Sequence, residues 1–122
     1  MPDTVDLIDH LLSDLKNIGG VEACAAASRD GLLIRAIMQK EIFSESFAAM
    51  SATMFGAAET ATTELGNGAP DRIIVESEHA RLIIVGAGQK GLLIALVDPS
   101  TGLGLILLEL EKGAKKLKEL LT

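Results

Sequence analysis

The sequence predicts an α/β protein of the α+β kind, with its elements in the order α-β-β-α-β-β-β-α. Three observations lead there. Segments at the start, middle and end space their apolar residues at helical intervals, with capping residues or glycines at their ends. Between them lie five short runs rich in Ala, Ile, Leu and Val, punctuated by turn-forming residues. The central runs are apolar on both faces, so the sheet they form needs helices on both sides.

The first helix covers residues 3–18, with Leu7, Ile8, Leu11, Leu12, Leu15 and Ile18 at helical spacing. Asp3 or Thr4 can cap its start, and Gly19–Gly20 stops it. The runs "VEACAAAS" and "LLIRAIM" flank "RDG", and an Asp-Gly between two apolar runs signals a β-hairpin. A long helix over residues 44–65 comes next, capped by Ser44 and ended by "GNGAP". Then come three strand-like runs, "RIIVESE", "ARLIIVGA" and "LLIALVD". "DPST" starts a last helix whose stripe is Leu103, Ile106, Leu107, Leu110, Ala114, Leu117 and Leu121.

A chain of 122 residues, 48% of them hydrophobic, is expected to form one domain spanning 1–122. No apolar run approaches the ~20 residues of a membrane span, and the start lacks the basic stretch of a signal peptide. A cytoplasmic protein without direct membrane insertion is expected. The net charge of −6, with no Trp or Tyr and three Phe, disfavours nucleic acid, which needs cations and stacking rings. Lys112, Lys115, Lys116 and Lys118 oppose the dipole at the end of the last helix and read as a solvated face. Cys24 is the single cysteine and reads as a small buried hydrophobe. His10 and His79 have no metal-ligand spacing. No catalytic, metal or cofactor-binding residue is expected, and the protein is not expected to be an enzyme.

One motif tests that expectation. Gly86, Gly88 and Gly91 form a complete G-x-G-x-x-G after a strand-like run, and Glu109 or Glu111 comes about where a ribose-binding acid belongs. The motif must then open a helix. Instead, a solid apolar block succeeds the glycines and is cut by Asp98–Pro99, and too little chain remains to complete a parallel sheet. The glycines are therefore expected to turn one strand back into the next.

The middle helix is the more informative element. On a helical wheel Phe47, Met50, Met54, Ala58, Ala61 and Leu65 share one face, expected to be core. The opposite face holds Ala49, Ala52, Thr53, Gly56, Thr60 and Thr63, and residues 41–71 contain no Lys or Arg. Small uncharged residues let another helix approach closely. Gly56 costs about 1 kcal/mol relative to Ala mid-helix, which close approach would offset. The expected occupant is a second copy of the chain, because the stripes of the terminal helices are already needed on the sheet.

The whole chain resembles the roadblock family, the dynein-light-chain and MglB-like modules. The likeness is carried by "NIGGVEACAAASRDGLLI", the small-residue helix "FAAMSATMFGAAETATTEL" and the close "VDPSTGLGLILLELEKGAKKL". It implies a five-stranded antiparallel sheet with the terminal helices on one face and the middle helix on the other. It also implies dimers in which the middle helices pair and the third strands join, here through residues 72–77 with Ile73 and Val75. The family's usual role is to bind and regulate Ras-like small GTPases, or to act as an adaptor in larger assemblies. The implied function is a noncatalytic homodimeric module regulating such a GTPase, the alternative an adaptor or scaffold without one. By position, Phe55, Glu59, Thr62 and Thr63 are the implied partner-binding margin, with Phe55 also placed to be dimer core. Among the arginines, Arg29 in the "SRDG" turn is expected to be the most exposed and is given no catalytic role.

Overall fold

The computed structural model describes residues 2–39 and 43–122. Helix α1 spans Thr4–Lys16, strands β1 and β2 span Val21–Ser28 and Leu33–Ile37, and helix α2 spans Ser44–Glu64. Strands β3, β4 and β5 span Arg72–Glu76, Arg81–Ala87 and Gly91–Val97, and helix α3 closes the chain at Leu103–Leu120. The expected order is observed. All strand pairs are antiparallel, in the spatial order β2-β1-β5-β4-β3.

That order explains why α2 is long. The β1–β2 hairpin ends at one edge of the sheet, and β3 begins at the opposite edge. Five strands span about 19 Å between outer edges, allowing nearly 5 Å per neighbour. The 21 residues of α2 extend about 32 Å and carry the chain obliquely across.

Strand alternation divides the core into two layers. Ile83, Val85 and Ala87 of β4, with Leu93, Ala95 and Val97 of β5, face α1 and α3. Ile84, Leu92 and Ile94 face α2. In β1 the parity changes: Val21, Cys24 and Ala26 share the first layer because the register slips between Val21 and Ala23. The alanines of β1 leave both helical layers close to the sheet. Cys24 is fully buried and its thiol donates to the Leu12 carbonyl at 3.3 Å. Desolvation pushes that thiol up to about 11, with the Lys16 charge opposing weakly.

Local signals set the start of α1 and the buried face of α3. Asp3 caps α1, accepting from the Asp6 N–H at 2.9 Å. Ile106, Leu110, Ala114 and Leu117 of α3 are buried as the stripe requires. Leu7 departs from its expected role and is 39% exposed. Ser44 does not cap α2: Phe43 holds the cap position, and Ser44 is a buried first residue of the helix.

Candidate interaction surface

The larger correction concerns how α2 is rotated. Ala48, Ser51, Ala52 and Phe55 face the sheet, with Phe47 and Met54 packed at the margins. Met50 and Leu65, expected in the core, are 61% and 75% exposed. Ala52, expected on the outer face, is 8% exposed against the sheet. Ala49 is half-buried beside the β1–β2 turn, its Cα 3.2 Å from where a Cβ on Gly31 would lie. Nearly every residue of α2 is small or apolar, so its wheel lacks the polar contrast that fixes rotation.

Phe55 and Arg29 fix it instead. Phe55 is 1% exposed and cannot present its ring to a partner. The Arg29 guanidinium lies 4.7 Å from the ring centroid. Its Nη2 donates to the Gly88 carbonyl at 2.6 Å, its Nε to the Gly91 carbonyl at 3.1 Å, and its Nη1 to Glu59 at 3.2 Å. Arg29 is thus no solvated turn residue. It ties the β1–β2 turn to the β4–β5 turn and to α2. Glu59, expected to meet a partner, is its carboxylate anchor.

The glycine motif finds its role here. A Cβ on Gly86 would come within 2.9 Å of Arg29 Nη2 and 3.4 Å of Phe55 Cζ. Gly88 has φ +69° and opens the turn between β4 and β5. The strand after the turn pairs Gly91 with Ala87, so no helix begins there. Gly86 makes room for an arginine and a phenylalanine, and the motif joins two strands where a dinucleotide motif would open a helix.

Outside this anchor, α2 presents Thr53, Gly56, Thr60 and Thr63, all exposed, together with Met50, Ala57 and Ala61. The Thr53 hydroxyl donates to the Ala49 carbonyl at 2.9 Å, and Thr60 to Gly56 at 3.1 Å. Thr62, half-buried, donates to Ala58 at 3.0 Å. Hydroxyls bound to the carbonyl four residues back are used within the helix, so the side chains offer chiefly methyl groups outward. A Cβ on Gly56 would meet nothing within 4 Å. This surface is smooth and open, and its exposed charges are the carboxylates of Glu45 and Glu64.

Beside it runs the free edge of β3. Asp71 accepts from the Gly86 N–H, and Ser77 donates to the Ala80 carbonyl. Antiparallel alternation therefore turns the backbone groups of Ile73 and Val75 toward β4 and those of Arg72, Ile74 and Glu76 outward. Ile73 packs on the α2 layer, while Ile74 and Val75 are 36% and 38% exposed. The opposite edge, β2, differs: its central Arg35 is held by Asp9 at 2.7 and 3.0 Å, a charge that discourages strand addition. All four arginines are engaged by carboxylates: Arg29 with Glu59, Arg35 with Asp9, Arg72 with Glu111 and Arg81 with Glu76. Among the described residues no cluster of His, Cys, Asp or Glu could hold a metal ion. No helix there is long and apolar enough to cross a membrane.

A model of the Roadblock/LC7 domain matches residues 7–97. The uncharacterized protein MJ1340 of Methanocaldococcus jannaschii is 33% identical over 112 residues, covering 92% of this chain and 97% of that protein. Myxococcus xanthus MglB superposes with a TM-score of 0.87 at 21% identity, over 94% of each chain. An MglB in a tetrameric arrangement superposes with a TM-score of 0.89 at 18% identity, over 98% of this chain and 91% of that one. At such identities the two MglB likenesses are likenesses of fold.

Proposed function

The chain belongs to the Roadblock/LC7 domain family, and from that premise we propose that it is a noncatalytic homodimeric module which binds a Ras-like small GTPase and regulates it in the cytoplasm. One observation carries the proposal: the open face of α2 and the unpaired edge of β3 together form a surface suited to protein association. The likeness to an MglB in a tetrameric arrangement supports self-association. Thr53, Gly56, Thr60 and Thr63 would meet the partner copy's helix, and Ile73 and Val75 its third strand. Ala52 and Phe55 serve the fold instead.

The strand suggests its own register. With Ile74 on the two-fold axis, Arg72 lies opposite Glu76 of the second copy, and Ile73 opposite Val75. Every cross-strand pair is then apolar with apolar or cation with anion. No other register overlaps all five residues of β3 with themselves.

The GTPase role is tested by co-purification from the native cell, then binding of the recovered GTPase loaded with GDP or a GTP analogue. Regulation predicts unequal affinities for the two forms. Equal affinities, or recovery of partners without any GTPase, would assign the adaptor role instead.

A further inference from the structure

Beyond the start of β3, β4 keeps only β5 as its neighbour, and the corner between it and α3 is hollow. The cavity, of about 550 Å³, is lined by Arg29, Arg72, Lys115 and Lys118 over a floor that includes Val85 and Ala114. A second hollow of about 380 Å³ lies at the β4–β5 turn, shares Gly88 and Lys118 with the first, and adds Lys90. Five of the eleven Lys and Arg in a chain of net charge −6 therefore line one corner.

The cations are not equally engaged. Arg29 and Arg72 have carboxylates in Glu59 and Glu111. Among the described residues, Lys90, Lys115 and Lys118 form no ion pair, whereas Lys112 has Glu109 at 3.6 Å. Lys118 lies in the last turn of α3 and offsets the helix dipole there. Lys115 precedes that turn and Lys90 belongs to a strand turn, so the dipole does not account for them. Asp71 is the other acidic lining residue, one carboxylate against the three ammonium groups that line the two hollows together. A Cβ on Gly88 would come within 2.7 Å of Lys118 Cγ, so the lysine stem lies across the glycine.

We propose that this corner docks an acidic peptide segment of a partner protein, one carrying aliphatic as well as acidic side chains. Charge complementarity selects the acid, because a cationic corner on an acidic molecule concentrates anions locally. The lining separates a peptide from a bare phosphate: Ala69, exposed, and Pro70, half-buried, favour an aliphatic side chain and do nothing for a hydrated anion. The lining includes no aromatic ring on which a nucleobase could stack. The lysines of the site do not belong to α2, which packs on the opposite face of the sheet from α3, so the site does not require self-association or a GTPase.

The test is fluorescence anisotropy with a fluorescein-labelled peptide of Glu and Leu, against the same peptide with Gln for Glu. The acidic peptide should bind saturably and more weakly as salt rises. Lys115→Glu with Lys118→Glu should weaken it by at least about tenfold. Lys112→Glu with Lys116→Glu, the same change in net charge elsewhere on α3, should leave it within about twofold. Absent saturation, equal loss in both variants, equal binding of the Gln peptide, or displacement by inorganic phosphate at comparable concentration would each overturn the proposal. Should the charge reversals unfold the chain, Lys115→Gln with Lys118→Gln repeats the comparison. Light scattering on the same samples reads self-association separately.

Discussion

Arg29→Ala should cost far more than a turn arginine normally does. The substitution removes two charge-assisted hydrogen bonds, to the carbonyls of Gly88 and Gly91, each contributing about 1–1.5 kcal/mol for a side chain that keeps 26% exposure. The Glu59 ion pair adds at most about 0.5 kcal/mol, because its carboxylate is 37% exposed. The contact with the Phe55 ring adds about 0.5 kcal/mol. The sum is about 3 kcal/mol, a large fraction of the 5–15 kcal/mol typical of a domain. For a chain of this length that lowers Tm by about 12 °C. Urea unfolding followed by far-UV circular dichroism, at fixed protein concentration, should show a lower midpoint at unchanged slope. Glu59→Gln should cost less than about 1 kcal/mol. Arg29→Lys should recover less than half of the loss, since an ammonium cannot reproduce the three-way fork. A loss below about 1 kcal/mol for Arg29→Ala would refute the brace and leave Arg29 an ordinary solvated residue.

Ile74→Cys should cross-link to its own copy under mild oxidation, because a hydrogen-bonded antiparallel pair holds its Cα atoms about 5.5 Å apart, within disulfide reach. Leu32→Cys, 70% exposed in the β1–β2 turn, is the control, and equal cross-linking of both on a non-reducing gel would reject the register. Gly56→Leu should shift the protein toward monomer while leaving the fold intact, since the position is open in the single chain; a variant that stays dimeric by light scattering would remove α2 from the seam. Ser51→Ala should be neutral or stabilising by up to about 1 kcal/mol, because the buried Ser51 Oγ has no hydrogen-bond partner among the described residues; a loss beyond that in a thermal melt would contradict it. Stability should be indifferent to Cys24 below pH 9 and fall as pH rises from 9 to about 11, where the unfolded thiol ionises and the buried one does not. The loss amounts to about 2–3 kcal/mol by the linkage relation, and Cys24→Ala should abolish that slope in urea titrations across the range.

The element order, the hairpin turns, the cap of α1 and the stripe of α3 are legible in the sequence because each rests on neighbours in the chain. Helical and strand periods, Asp3 at a helix start and glycine in a turn act within a few residues. The dinucleotide reading fails on local grounds too, since the residues just after the glycines have the composition of a strand and not of a helix. The small outer residues Thr53, Gly56, Thr60 and Thr63 are recognisable from the wheel, but the same wheel misplaces Ala52, and the position implied for Phe55 by the family likeness is buried instead.

The rotation of α2 is decided by tertiary contacts. A helix built almost entirely of small and apolar side chains has no polar face to reveal which side is buried. What turns it is Phe55 descending over Gly86 and Arg29 reaching Glu59, Gly88 and Gly91, which lie 30, 59 and 62 residues away in sequence. The same is true of the cationic corner, where lysines of α3 meet an arginine of β3 only because the strand order carries β3 to the edge under that helix. Periodicity names the elements. Which side chain fills the space over a glycine far away in the chain is set by packing, and packing exists only once the sheet has closed.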